Sequence, residues 1–271
     1  MYKRQETRLG IPIIFGHDVI HGYKTMFPIP LAESSSWDLE LMEQSARIAA
    51  TEASADGLHW TFAPMVDISR DARWGRVMEG AGEDPFLGSL IAKARVNGFQ
   101  GNNLSDQNTI VACAKHFVAG SEPVNGLNVS PMDISERSLR EIYLKPYKRA
   151  VDAGVYTIMA AHNEVNGIPS HMHKELLTEI VRDEYGFDGF YVSDWLDIER
   201  LVSLHYVAKD LKDASYLAVD AGIDMHMHGP YFLEAVRDLV IEGKLLEDRI
   251  DYACKKILLA KFKLGLFENP F

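Results

Sequence analysis

Six short apolar runs, each stopping at large polar side chains, constrain this chain more than any other feature. They occupy residues 11–16, 59–64, 109–114, 155–161, 189–195 and 223–228. Between them, apolar residues fall at helical spacing over 36–55, 87–99, 135–154, 174–185, 214–221 and 231–264, the last broken near Gly243. Strands alternating with helices predict parallel βαβ units. Large polar groups gather at or just after the strand exits: Asp18, Arg76, Lys115, His116, His162, Asn163, Asp194 and His226. In a β/α barrel the strands' C-terminal ends form the active-site face. The predicted fold is therefore α/β, a TIM-type (β/α)8 barrel. Six strands are legible against the eight of a complete barrel, so an incomplete barrel is the alternative, as are weak strands hidden near 23–31.

The fifth run, Gly189-Phe190-Tyr191-Val192-Ser193-Asp194-Trp195, is the sharpest. Phe190, Tyr191 and Val192 favour a strand, and the break at Ser193-Asp194 puts a carboxylate at its C-terminal end. Two readings compete: a catalytic carboxylate on a shared rim, or an N-cap for a helix beginning near Leu196. A long charged loop over 67–85, carrying Arg70, Asp71, Arg73, Arg76, Glu79, Glu83 and Asp84, favours the rim.

Composition narrows the classes. Lys plus Arg is 28 and Asp plus Glu is 39, a net charge of −11 with no basic run. Such a chain repels nucleic acid and anionic membrane surfaces, which excludes both as partners. Cys113 and Cys254 make no disulfide framework and are expected to be unpaired. No apolar run reaches bilayer-spanning length, and Met1-Tyr2-Lys3-Arg4-Gln5-Glu6 lacks the apolar core of a leader peptide.

Four motifs then occur in order: Gly16-His17-Asp18-Val19-Ile20-His21-Gly22, Arg73-Trp74-Gly75-Arg76, Lys115-His116-Phe117 and Val192-Ser193-Asp194-Trp195. Together they resemble glycoside hydrolase family 3, most of all its β-glucosidases and β-xylosidases. The ending Lys263-Leu264-Gly265-Leu266-Phe267 resembles the close of that family's N-terminal barrel. The resemblance implies a retaining β-glycosidase acting on a β-linked glucoside or oligosaccharide, with Asp194 as nucleophile. It also implies a glucose-like subsite formed by Asp18, Arg76, Lys115, His116, His162 and Trp195, and no cofactor, since carboxylates and water suffice. Members of the family are often periplasmic or secreted.

Departures accompany the resemblance. Family members often carry a Tyr at the positions of His162 and Gly120, and the loop 120–131 holds Asn125-Gly126-Leu127-Asn128 in place of a charged and aromatic pattern. The expected organisation is one barrel domain over 1–271 with the family's second domain absent. Because the resemblance places the general acid in that second domain, a further domain or chain is the expected source of the acid/base. Two other readings stand beside this one. His226 and His228, alternating with Met225 and Met227, share one strand face and could serve a metal-dependent amidohydrolase-like barrel. A non-catalytic sugar-binding barrel would use the same residues without the chemistry.

Overall fold

A computed structural model describes residues 8–268; residues 1–7 and the last three residues lie outside that range. The strands are β1 (Gly16–His17), β2 (Trp60–Thr61), β3 (Cys113–Phe117), β4 (Thr157–Ala160), β5 (Glu164–Val165), β6 (Ile168–Pro169) and β7 (Phe190–Val192). β1 pairs parallel with β2, and β4 lies parallel between β3 and β7. Parallel bridges from Trp60 to Val111 and from Val192 to Met225 extend the sequence at both ends. All six predicted runs thus contribute a parallel segment, in chain order. This is the TIM-type α/β arrangement.

Two layers of core follow from the period-two pleat of the strands. Trp60, Val111, Cys113, Met159, Phe190 and Val192 point to one side and pack together, with Met225 and Met227 against them. Trp60 Nε1 donates to Thr157 Oγ1 across this interior at 2.9 Å. The alternate residues Ala112, Ala114, Ile158, Ala160 and Tyr191 face the helices. Gly189 marks a close approach, since a Cβ there would meet the Tyr156 carbonyl oxygen at 2.0 Å.

The helices obey their caps. Asp38 caps Leu39–Ala55 by accepting from the Leu41 amide, and Asp84 caps Pro85–Gln100 through the Leu87 amide. Ser135 caps the next helical stretch by accepting from the Ser138 amide. The final helical region splits into Phe232–Ile241 and Glu247–Lys263 around Gly243, whose φ is +68°.

Two expectations need correction, and one hairpin is new. The region near 23–31 supplies no barrel strand: Gly22 bridges Met26 and a short helix, Pro30–Ser34, follows. The third strand runs three to four residues later than predicted, so Lys115 and His116 lie within β3 rather than beyond it. An antiparallel hairpin of β5 and β6 follows β4, turning through Asn166 and Gly167 at φ +51° and +83°. Among the described residues, no helix is long and apolar enough to cross a membrane. Cys113 is buried and Cys254 exposed, and both are free.

Candidate active site

Pleat alternation brings the site together. Lys115 follows Cys113 by two, and Asp194 follows Val192 by two, so both continue the inward row to the C-terminal rim. His116 should then point outward. A register shift between Ala114 and Phe117 breaks the alternation and turns it back toward the rim. There its amide and Nδ1 both meet Asp67 Oδ2, at 2.8 and 3.1 Å, and its Nε2 lies 3.7 Å from Asp194 Oδ2.

Asp194 is 8% exposed and does not cap a helix. The helix Asp197–Ser203 begins after Leu196, at φ +60°, with no side-chain cap. Instead, Asp194 Oδ1 accepts from the Trp195 amide at 2.6 Å, and its own amide donates to His171 Nε2 at 3.1 Å. Oδ2 makes no aligned hydrogen bond but lies 3.0 Å from His162 Nε2. Burial would raise the carboxyl's pKa. The contacts with His162, His116 and the Trp195 amide outweigh it and hold Asp194 well below the usual carboxylate range. The result is an ionised oxygen at a strand end, aimed by its neighbours but not saturated by them.

Around it, Lys115 Nζ, almost fully buried, donates to Asp18 Oδ1 at 2.6 Å, while Asp18 is more than half exposed. Arg76 is held bidentately by Glu79 at 2.7 and 2.9 Å. Burial would lower its pKa, but Glu79 and then Asp67 and Asp194 raise it. Arg76 is thus bound in a salt bridge with Glu79 while remaining beside the rim. Trp195 is 52% exposed and stacks on His228 at 4.0 Å between centroids. It is a solvent-facing ring rather than a core tryptophan.

His162 fills the gap between Asp194 and a residue that the sequence did not single out, Asp197. Its Nδ1 is 2.7 Å from Asp197 Oδ2. Burial alone would lower the pKa of His162, but the two carboxylates raise it to about 9. Asp197 is buried, and Arg200 donates to its other oxygen at 2.6 Å. His171, which the sequence did not single out as a site residue, accepts the Asp194 amide, and burial lowers its pKa. The loop 120–131, where the family pattern departs, closes over the Arg-Trp-Gly-Arg motif: Asn128 Oδ1 accepts from Trp74 Nε1 at 2.9 Å.

The proposed metal pair does not assemble. His226 Nε2 faces Glu199 at 3.2 Å and its ring lies against Phe232, while His228 is taken up by Trp195. Among the described residues, the set with ligand atoms within 4.8 Å of one another is His162, Asp194 and Asp197, and it contains neither His226 nor His228. Asp197 there is already shared by two cationic groups.

A family model described as "Glycosyl hydrolase family 3 N terminal domain" matches residues 1–260. A periplasmic β-glucosidase of Salmonella typhimurium is 40% identical over 265 residues, covering 98% of this chain and 34% of that protein. A β-xylosidase of Formosa agariphila is 40% identical over 281 residues, covering 96% of this chain and 39% of its own length. Among solved structures, the β-glucosidase of Listeria innocua in complex with isofagomine superposes with a TM-score of 0.96 at 44% identity, over 98% of this chain and 37% of that one. The chain thus spans little more than a third of the proteins it matches.

Proposed function

The chain belongs to glycosyl hydrolase family 3, matching its N-terminal domain, and we propose that it forms the nucleophile-bearing barrel of a retaining β-glycosidase. The substrate is a β-glucoside or β-xyloside, the classes named in its relatives. The observation that carries this reading is Asp194 itself: a strand-end carboxylate, nine-tenths buried yet held ionised, with Oδ2 free of aligned hydrogen bonds. Such an oxygen can attack an anomeric carbon and form a glycosyl ester.

The remaining groups suit a pyranose. Asp18 offers an exposed carboxylate that accepts from paired hydroxyls, and Lys115 beside it donates. Arg76 and His116 extend the polar wall, His162 closes it behind Asp194, and Trp195 offers a flat face for the sugar or its leaving group. Retention also needs a general acid roughly 5–5.5 Å from the nucleophile. Asp197 lies close to Asp194 but is bound by His162 and Arg200. Glu79 is bound by Arg76, and Glu122 meets Tyr143. We therefore assign the acid/base to a group outside these residues, in a further domain or a second chain.

The test is covalent labelling with 2-deoxy-2-fluoro-β-glucosyl dinitrophenolate, whose leaving group departs without an acid. Peptide mapping should place the label on Asp194. A label on any other residue would overturn the assignment.

A further inference from the structure

We propose that His162 is a positioning residue for the nucleophile: its imidazolium, clamped between Asp197 and Asp194, keeps Asp194 ionised and oriented, and loss of its proton disables the site. The proposal rests on the reading of Asp194 as nucleophile.

Geometry demands both ring protons. A carboxylate oxygen only accepts, and one lies against each ring nitrogen: Asp197 Oδ2 at 2.7 Å from Nδ1 and Asp194 Oδ2 at 3.0 Å from Nε2. Neutral imidazole has one proton and would leave a lone pair facing an anion. Arg200 completes the chain by donating to Asp197 Oδ1 at 2.6 Å. Two carboxylates and two cations then cancel, the condition under which charges persist at this depth. Arg200 Nη1 also lies 3.0 Å from His162 Nδ1 and could donate to that nitrogen in the neutral tautomer; Asp197 Oδ2, nearer at 2.7 Å, instead takes a proton from it.

The other groups facing His162 do not compete for this role. The His116 ring stacks at 6.0 Å with its Nδ1 on Asp67, and burial lowers its pKa. His171 has its Nε2 occupied by the Asp194 amide, so that nitrogen carries no proton; its Nδ1 is 3.7 Å from Asp197 Oδ2. His205 meets the His162 carbonyl oxygen at 3.2 Å and Glu164 at 3.4 Å. His116 also has a carboxylate at each nitrogen, Asp67 at 3.1 Å and Asp194 at 3.7 Å, but only His162 has both within 3.0 Å. The clamp also suits the reaction, because the same cation that stabilises the free carboxylate makes it a better leaving group when the glycosyl ester is broken.

Two measurements on the protein test this. The first follows the His162 ring nitrogens by NMR with 15N-labelled histidine across pH. Both should stay protonated through neutrality with a midpoint near 9, and Asp197→Asn should lower that midpoint by at least tenfold in proton affinity. The second follows the rate of labelling by the fluorinated dinitrophenyl glucoside across the same range. It should fall with the same midpoint in the wild type, and Asp197→Asn should shift the fall to lower pH. A midpoint near the ordinary value of about 6.5, or a labelling rate that ignores the His162 titration, overturns the proposal. A merely structural His162 would change the folded fraction and leave the pH profile of the remainder unmoved. If the wild type is never labelled at any pH, the nucleophile assignment falls and the positioning role with it, while the NMR midpoint still reports the clamp separately.

Discussion

Lys115 Nζ and Asp18 Oδ1 meet at 2.6 Å across 97 residues of sequence, joining the exits of the first and third strands. The partners are unequal: the lysine side chain is 5% exposed and the aspartate 58%. Burial concentrates the consequence on the cation, which has no other acceptor among the described hydrogen bonds. Asp18→Asn keeps an acceptor for Lys115 while removing the charge offered to sugar hydroxyls. It should lower kcat/KM by at least about tenfold, the scale of one charged hydrogen bond, with little change in Tm. Asp18→Ala should lose the same activity and also destabilise by about 1–3 kcal/mol, because the ammonium is left unpaired. Equal thermal shifts in the two variants would contradict this account.

Asp194→Asn separates chemistry from packing. The amide preserves shape and the Trp195 amide contact but cannot attack, so labelling should vanish and turnover should fall to background. The fold should survive, at a cost below about 2 kcal/mol, because His162 keeps Asp197 as a partner. Thermal denaturation and mass spectrometry of the treated variant decide it. A loss well above that cost would make Asp194 a structural residue.

Stability should depend on pH through the same cluster. The folded pKa of His162 is about 9 against an ordinary 6.5, so its stabilising contribution is complete below 6.5. It is lost as the pH rises from there through 9. The full amount is on the order of 3 kcal/mol. Asp194 and Asp197 have the opposite sign: their folded values are depressed below 3.8. Their contribution is present above that value and is lost only as the pH falls below it. Urea midpoints between pH 6 and 9.5 should therefore decline in the wild type and decline less in His162→Gln. Parallel curves would show that His162 carries no such linkage.

The residues of this cluster were unequally visible in the sequence. Asp194 announces itself, because a strand that stops just before a charge puts it on the rim whatever the helices do, whereas Lys115 lies inside a strand that runs on to Phe117. The direction of His116 was hidden by a register shift that no pattern of apolar residues records. Asp197 is an acidic residue in the first turn of a helix, a position that favours acids for their own sake. Its partnership with His162 exists only once β4 and β7 lie side by side. Asp67 likewise meets His116 from 49 residues away. The β5–β6 hairpin did carry a signal in Asn166-Gly167, but strands of two residues leave no alternation to read.

The last prediction concerns the acid. General acid catalysis is worth about 10²–10⁴-fold and is felt most by poor leaving groups. Within the described residues the candidates are committed: Glu79 to Arg76, Glu122 to Tyr143, Asp197 to two cations, and His162 to Asp194 and Asp197. The 271 residues alone should therefore hydrolyse dinitrophenyl β-glucoside slowly and leave cellobiose essentially untouched. Azide needs no proton removed, so it should accelerate turnover of the glycosyl-enzyme and yield a glycosyl azide. Efficient cleavage of cellobiose, indifferent to azide, would require an acid inside the chain. Glu122→Gln is then the variant to make. Burial holds that carboxyl above its usual range against the pull of Arg70, and it faces a cavity of about 380 Å³ on the charged loop.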